Sequence, residues 1–364
     1  MRPSTLFPLP RTFFGLGLSL GLLANGCAYR GPQVESILPA GQASTLAGTV
    51  ESPDSAGLQH LVVYGDSLSD PGNLNRNTFG FYLPHKVFYK GRFSNGPVWP
   101  DYVEKSLRWS VDNYAVGGAL TREGSFPTRL AVTSLPDQIE KSRSRLQELK
   151  PAQTLIAIWI GPNNYLIGGR DYEDARGKPQ EAALRKGITR NILDIQKSIL
   201  TLQKIGFRRI AVGTMPQLSG LNHDPRGASK LSDATFLLAT RFHNEALHKM
   251  ISELKSTAKN SKLQLITFHT FEIDDETAKD PKGHGFTRTD APCYVGSLTG
   301  TFYSKEEFCN DPMGYKFWEF IHPNTRMHCY YAAQFLTDIS QEGLIKGYQK
   351  SEGIARCLAI KNKG

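Results

Sequence analysis

No Cys-x-x-Cys pair and no His-Glu-x-x-His stretch occurs in the 364 residues, so the common zinc-holding frames are missing. His243 and His248 are five apart, the wrong spacing for one helical face. The expectation is a metal-independent protein with no cofactor. A basic cluster interleaved with stacking aromatics is also lacking, despite 43 Lys and Arg against 34 Asp and Glu. The formal charge of +9 therefore reads as a mildly basic surface that attracts phosphates, including those of anionic lipid. Nucleic acid is not an expected partner. No internal repeat is present, which argues against repeat architectures.

Long apolar runs are scarce. Thr12–Ala24 is one, and it is too short to span a bilayer as a mature anchor. It follows Arg2 and Arg11 and leads into Ala24-Asn25-Gly26-Cys27. A charged start, a short apolar core and small residues at the cut read as a secretory signal over residues 1–26. Cys27 is the expected lipidation point, although the Leu usual three places before such a cysteine is Ala24 here. Ala24-Asn25-Gly26 also fits an ordinary signal-peptidase site. Residues 27–57, rich in Gly, Ser, Ala and Pro without periodicity, read as a flexible tether. Residues 58–364 form the expected folded domain. The expected location is that of an exported bacterial protein: an outer-membrane lipoprotein, or a periplasmic or secreted protein.

Cysteine is rare too. Besides Cys27 there are four, Cys293, Cys309, Cys329 and Cys357, all in the last quarter. In an oxidising compartment such a set usually pairs, and three connectivities exist. Sequential pairing, Cys293–Cys309 and Cys329–Cys357, is the expected one, with free buried thiols as the alternative.

What is present is an alternation of strands and helices. His60–Tyr64, Thr154–Ile160, Arg209–Thr214 and Leu263–Phe268 are short runs rich in aliphatic residues and bounded by polar residues, Gly or Pro. Buried parallel strands look like this. Ile188, Ile192, Ile195, Ile199 and Leu202 recur at helical spacing before Gly206, and Phe242, Leu247, Met250, Ile251 and Leu254 mark a second helix. The pattern implies an α/β fold with a parallel sheet covered on both faces, and such sheets bind ligands beyond the carboxyl ends of their strands.

At those ends stand chemically pointed residues. Gly65-Asp66-Ser67-Leu68 follows the first strand and Gly161-Pro162-Asn163-Asn164 the second. Asn113 to Ala119 carries the pair Gly117-Gly118, and Trp318-Glu319-Phe320-Ile321-His322-Pro323 comes late. A serine hydroxyl becomes a nucleophile when a histidine takes its proton. The histidine needs a carboxylate or a carbonyl to fix its tautomer. The oxyanion needs aimed donors, which glycine N–H groups and an asparagine amide supply. Any one fragment is weak; all four in this order point to acyl transfer.

On these motifs most of residues 58–340 resemble the SGNH hydrolases, also called GDSL esterases/lipases. The resemblance implies a flavodoxin-like three-layer α/β/α sandwich with a central parallel sheet. It implies Ser67 as nucleophile and His322 as base, with an oxyanion hole from Ser67, Gly118 (Gly117 as the adjacent alternative) and Asn163. Two positions depart from the family pattern: Glu319 stands where Asp is usual, and Asn164 where Asp usually follows the asparagine. Glu319 still offers an acceptor and is the expected acid; the alternative is that it faces solvent while a backbone carbonyl orients His322.

Gly91-Arg92-Phe93-Ser94-Asn95-Gly96-Pro97-Val98-Trp99-Pro100 and Asn113 to Ala119 further resemble the phospholipase A, glycerophospholipid–cholesterol acyltransferase and thermolabile haemolysin branch. The segment Cys293–Cys309 before His322 resembles the disulfide loop of those proteins. The function so implied is hydrolysis of phospholipid or lysophospholipid esters at a membrane surface, with transfer to a sterol or lysolipid acceptor open. Two alternatives stand beside it: a short-chain carbohydrate or peptidoglycan O-acyl esterase, and a non-enzymatic lipid-binding surface lipoprotein. Phe79, Phe81, Tyr82, Phe88, Tyr89, Phe93 and Trp99 crowd one segment, which lines an acyl pocket or touches a bilayer on one reading and packs the core on the other.

Overall fold

The computed structural model describes residues 57–123, 131–166, 169–218, 231–257, 262–299 and 306–361. The expected signal segment, Cys27 and all but the last residue of the expected tether lie outside them. Among the described residues no helix is long and apolar enough to cross a membrane.

Five parallel strands form the central sheet: β1 (His60–Gly65), β2 (Ser110–Asn113), β3 (Thr154–Trp159), β4 (Arg209–Gly213) and β5 (Gln264–Phe268). Their order, β2-β1-β3-β4-β5, is the flavodoxin-like order, which reverses direction beside β1. Alternation along each strand sends side chains to two separate cores. Leu61, Val63, Ala157 and Trp159 pack on one face against α2 (Trp99–Leu107) and α8 (Thr325–Gln341). Val62, Tyr64, Ile156 and Ile158 pack on the other against α3 (Leu135–Glu148), α5 (Glu181–Ile205) and α6 (Asp233–Thr257). The result is the expected three-layer α/β/α sandwich.

The Ile stripe expected to be helical lies in α5, which ends at Gly206 with φ +127°, a backbone that glycine adopts without strain. The second expected helix is α6. The short helices α1 (Asn73–Asn77) and α4 (Pro162–Leu166) follow β1 and β3, and α7 (Thr270–Lys279) follows β5. Small strand pairs then lead to α8: β6 (Arg288–Pro292) with β9 (Tyr315–Phe317), and β7 (Tyr294–Val295) with β8 (Glu307–Phe308). The last described helix, α9 (Lys350–Leu358), packs on α8. Disulfides join Cys293 to Cys309 and Cys329 to Cys357, the sequential pairing. The second ties α8 to α9.

Candidate active site

The site is assembled at the carboxyl ends of β1 and β3. β1 runs apolar and buried to Gly65, and the chain then turns sharply. Gln138 of α3 fixes this exit with paired bonds: its Nε2 donates to Gly65 O (2.8 Å) and its Oε1 accepts from Gly65 N–H (3.0 Å). In the turn, Leu68 N–H donates to Asp66 Oδ1 (3.1 Å). Burial pushes the Asp66 carboxyl up to about 7, because a charge there would lose its hydration. Ser67, at the next position, is 7% exposed.

His322 comes from 255 residues away, yet its Nε2 lies 2.7 Å from Ser67 Oγ. The turn that carries it closes on itself, since Trp318 N–H donates to His322 O (2.9 Å). This folds Glu319 back onto the histidine. Glu319 is fully buried, and its Oε1 contacts His322 Nδ1 and accepts His322 N–H (3.0 Å). Such a contact selects the tautomer with the proton on Nδ1 and leaves Nε2 as an acceptor.

The segment Gly91–Pro100 clamps the chain just after the histidine. Ser94 Oγ donates to Pro323 O (3.0 Å), and Asn95 Oδ1 accepts from Thr325 N–H (2.8 Å). A Cβ on Gly96 would stand 2.6 Å from Thr325 Oγ1, so only glycine permits this approach. Phe93 lies against the His322 ring, with centroids 4.6 Å apart.

Around Ser67 lie the expected oxyanion donors. Asp70 Oδ2 accepts Gly117 N–H (2.8 Å), which occupies that donor. Gly118, at φ +81°, lines the same cavity as Ser67 and Asn163. Asn163 Nδ2 donates one hydrogen to Ala119 O (3.1 Å), and an amide carries a second. Asn164 turns away and bonds Thr121 and Asn191 in the interior. Asp70 also accepts the N–H groups of Gly72 (2.7 Å) and Leu74 (3.1 Å), so it joins the start of α1 to the glycine pair.

Ser67 and His322 open onto a cavity of about 470 Å³. Leu74, Phe93, Val132, Leu298, Pro216, Leu218 and Phe317 are among the apolar residues that line it. Lys316 and Asp274 also line it, as an ion pair of 2.7 Å with both side chains under 10% exposed. Gln217 N–H donates to Asp274 (3.0 Å).

The aromatic segment divides between both readings: Phe88, Phe93 and Trp99 are buried, while Phe79 and Phe81 are exposed. His243 is buried against Tyr165, whose hydroxyl is 2.8 Å from Nδ1, while His248 lies at the surface. Burial pushes the His243 imidazole down to about 3. Among the described residues no three His, Cys, Asp or Glu side chains converge as a metal would require.

Sequence reasoning missed Asp70, Gln138, Lys316 and Asp274. The Gly91–Pro100 motif is legible in the sequence, but its clamping role is not. Each of these groups has at least one partner distant in sequence, so no local pattern announces its role.

A flavodoxin-like sheet bearing a serine, an imidazole and a carboxylate in line at its carboxyl edge belongs to the class of three-layer α/β ester hydrolases. The family profile GDSL-like Lipase/Acylhydrolase matches residues 61–335, so the chain belongs to that ester-hydrolysing family. Phosphatidylcholine-sterol acyltransferase of Aeromonas hydrophila is 27% identical over 261 residues, 69% of this chain and 70% of its own. Thermolabile hemolysin of Vibrio parahaemolyticus is 27% identical over 293 residues, 77% of this chain; the match spans 63% of its own length, just under two thirds. Among solved structures, an α/β hydrolase from the metagenome of Lake Arreo, Spain, aligns over 81% of this chain and 100% of its own, at 12% identity and a TM-score of 0.40.

Proposed function

We propose that the protein is an exported serine esterase of the lipase type that cleaves acyl esters of phospholipids or lysophospholipids. Ser67 Oγ attacks the ester carbonyl while His322 Nε2 takes its proton. Glu319 holds the imidazole and stabilises its charged form. The oxyanion is received by the N–H of Ser67, the N–H of Gly118 and the free amide hydrogen of Asn163. His322 then returns the proton to the leaving alcohol oxygen, and the acyl group stays on Ser67 until water, or an acceptor alcohol such as a sterol or lysolipid, takes it.

The observation that carries this reading is the 2.7 Å contact of His322 with Ser67 at the wall of an apolar cavity. A long acyl chain matches such a lining better than a sugar does. The name of the Aeromonas relative, an acyltransferase acting on phosphatidylcholine and sterol, supports the lipid substrate and the alcohol acceptor. We further propose residues 1–26 as a signal peptide, 27–57 as a tether, 58–364 as the hydrolase domain, and lipidation at Cys27. That places the protein at the bacterial outer membrane, or in the periplasm or medium if Cys27 stays free. The two disulfides suit an oxidising compartment.

The test is mass-spectrometric detection of fatty acid released from phospholipids, lysophospholipids and short-chain esters, beside Ser67→Ala. Long-chain release that disappears in the variant is the expected result. Release from short-chain esters alone would replace the lipid substrate with small acyl groups.

A further inference from the structure

Among the described residues, three of the seven exposed large hydrophobic side chains lie on one turn. Phe79 is 99% exposed, Phe81 50% and Tyr82 37%. Scattered apolar residues at a surface need no explanation, but a contiguous aromatic patch does.

The turn is held firmly in this presentation. Phe79 N–H donates to Arg76 O (3.1 Å), Gly80 N–H to Asn75 O (2.8 Å) and Phe81 N–H to Thr78 O (3.0 Å). Asn75 Nδ2 donates to Tyr82 O and Leu83 O, and Leu83 N–H donates to Leu298 O (2.7 Å). Phe79 has φ +52° and Gly80 φ +82°, and positive φ is disfavoured for a residue as bulky as phenylalanine. The fold thus keeps a strained phenylalanine in solvent at the end of α1.

Its neighbours are one-sided in charge. From Pro71 to Pro100 the chain has no Asp or Glu, while it has Arg76, Lys86, Lys90 and Arg92. Arg92 is spent on Asp101 and Lys86 on Glu306, which leaves Arg76 and Lys90, both exposed. The turn also adjoins the catalytic cavity, because Leu74, Thr78 and Tyr82 line it.

We propose that the Phe79–Tyr82 turn is an interfacial wedge for an anionic lipid surface. The rings of Phe79 and Phe81 enter the acyl boundary. Arg76 and Lys90 rest among the headgroup phosphates, and the cavity opens where a lipid ester is presented. Apolar insertion joined to cationic attraction is the physics of interfacial anchoring. The wedge draws its purpose from the lipid-substrate reading, but its test is independent of turnover.

The test uses the full chain carrying Cys27→Ser, to remove any lipid anchor, and Ser67→Ala, to stop hydrolysis. The four native tryptophans are all buried, so F79W adds the one exposed indole. Vesicles of phosphatidylcholine with phosphatidylglycerol are added. The expected result is a blue shift and quenching by brominated acyl chains, both lacking in the same chain without F79W. In a chain retaining Phe79, the pair Phe79→Ser and Phe81→Ser lowers the vesicle-bound fraction about tenfold or more. With Ser67 intact, the same pair leaves cleavage of a water-soluble short-chain ester unchanged. Indole emission unaltered by vesicles, or undiminished binding by the serine pair, would overturn the wedge. Equal binding to vesicles of phosphatidylcholine alone would overturn the role given to the two cations. Wedge-dependent binding with no phospholipid cleavage by the Ser67 chain would leave the wedge standing and remove the lipid substrate.

Discussion

The buried carboxylate of Glu319 is the group on which the orientation of His322 depends. It accepts from both the backbone N–H and Nδ1 of the same histidine, so ring and main chain are held by one oxygen. Glu319→Gln keeps the shape but removes the charge, and it can place an amide hydrogen opposite Nδ1. The wrong tautomer is then favoured, and kcat should fall roughly 10²- to 10⁴-fold. Steady-state rates on a soluble ester check this, with circular dichroism confirming the fold; activity within twofold of the parent would contradict it. Ser67, Asn163 and His322 were legible as residues because each stands at a strand end or in a compact motif. Glu319 was legible as a candidate, but its burial was not. Whether its side chain turns inward depends on the closure of Trp318 on His322, a backbone contact that no spacing encodes.

Among elements, four of the five central strands were legible because burial on both faces makes them continuous apolar runs. β2, Ser-Val-Asp-Asn, escaped because it is an edge strand, short, polar and partly exposed. β9 escaped for a different reason. Its Lys316 is charged, yet it is buried by its partner Asp274 on α7, and a lysine in sequence reads as surface. This pair anchors the strand that leads into the Glu319–His322 turn. Asp274→Ala leaves Lys316 buried without compensation, and it should cost about 3–5 kcal/mol of stability. Replacing both partners with apolar residues of similar volume should restore most of that loss. Urea unfolding curves of the single and double variants measure it; equal losses in both would show that the pair does not act as a unit.

For the whole molecule, the sheet order decides function by gathering distant residues at one edge. Ser67 and His322 are 255 residues apart, and the chain between them builds nearly all of one core and about half of the other, the rest of which comes from the segment after the histidine. The Cys329–Cys357 disulfide then ties α8 to α9, and buried Arg326, in the first turn of α8, holds the flanking segments by donating to Met313 O (2.7 Å) and Ile360 O (2.7 Å). The sandwich and both pairings were legible from alternation and cysteine placement, whereas the cavity was not, because its walls come from stretches scattered between Asp66 and Tyr331. The proposed chemistry requires that His322 activate Ser67. Treatment with a fluorophosphonate followed by peptide mass spectrometry tests it most directly. A single adduct on the peptide containing Ser67, lost in Ser67→Ala and strongly slowed in His322→Ala, is the predicted result. No adduct, or modification of another serine at the same rate in Ser67→Ala, would contradict it.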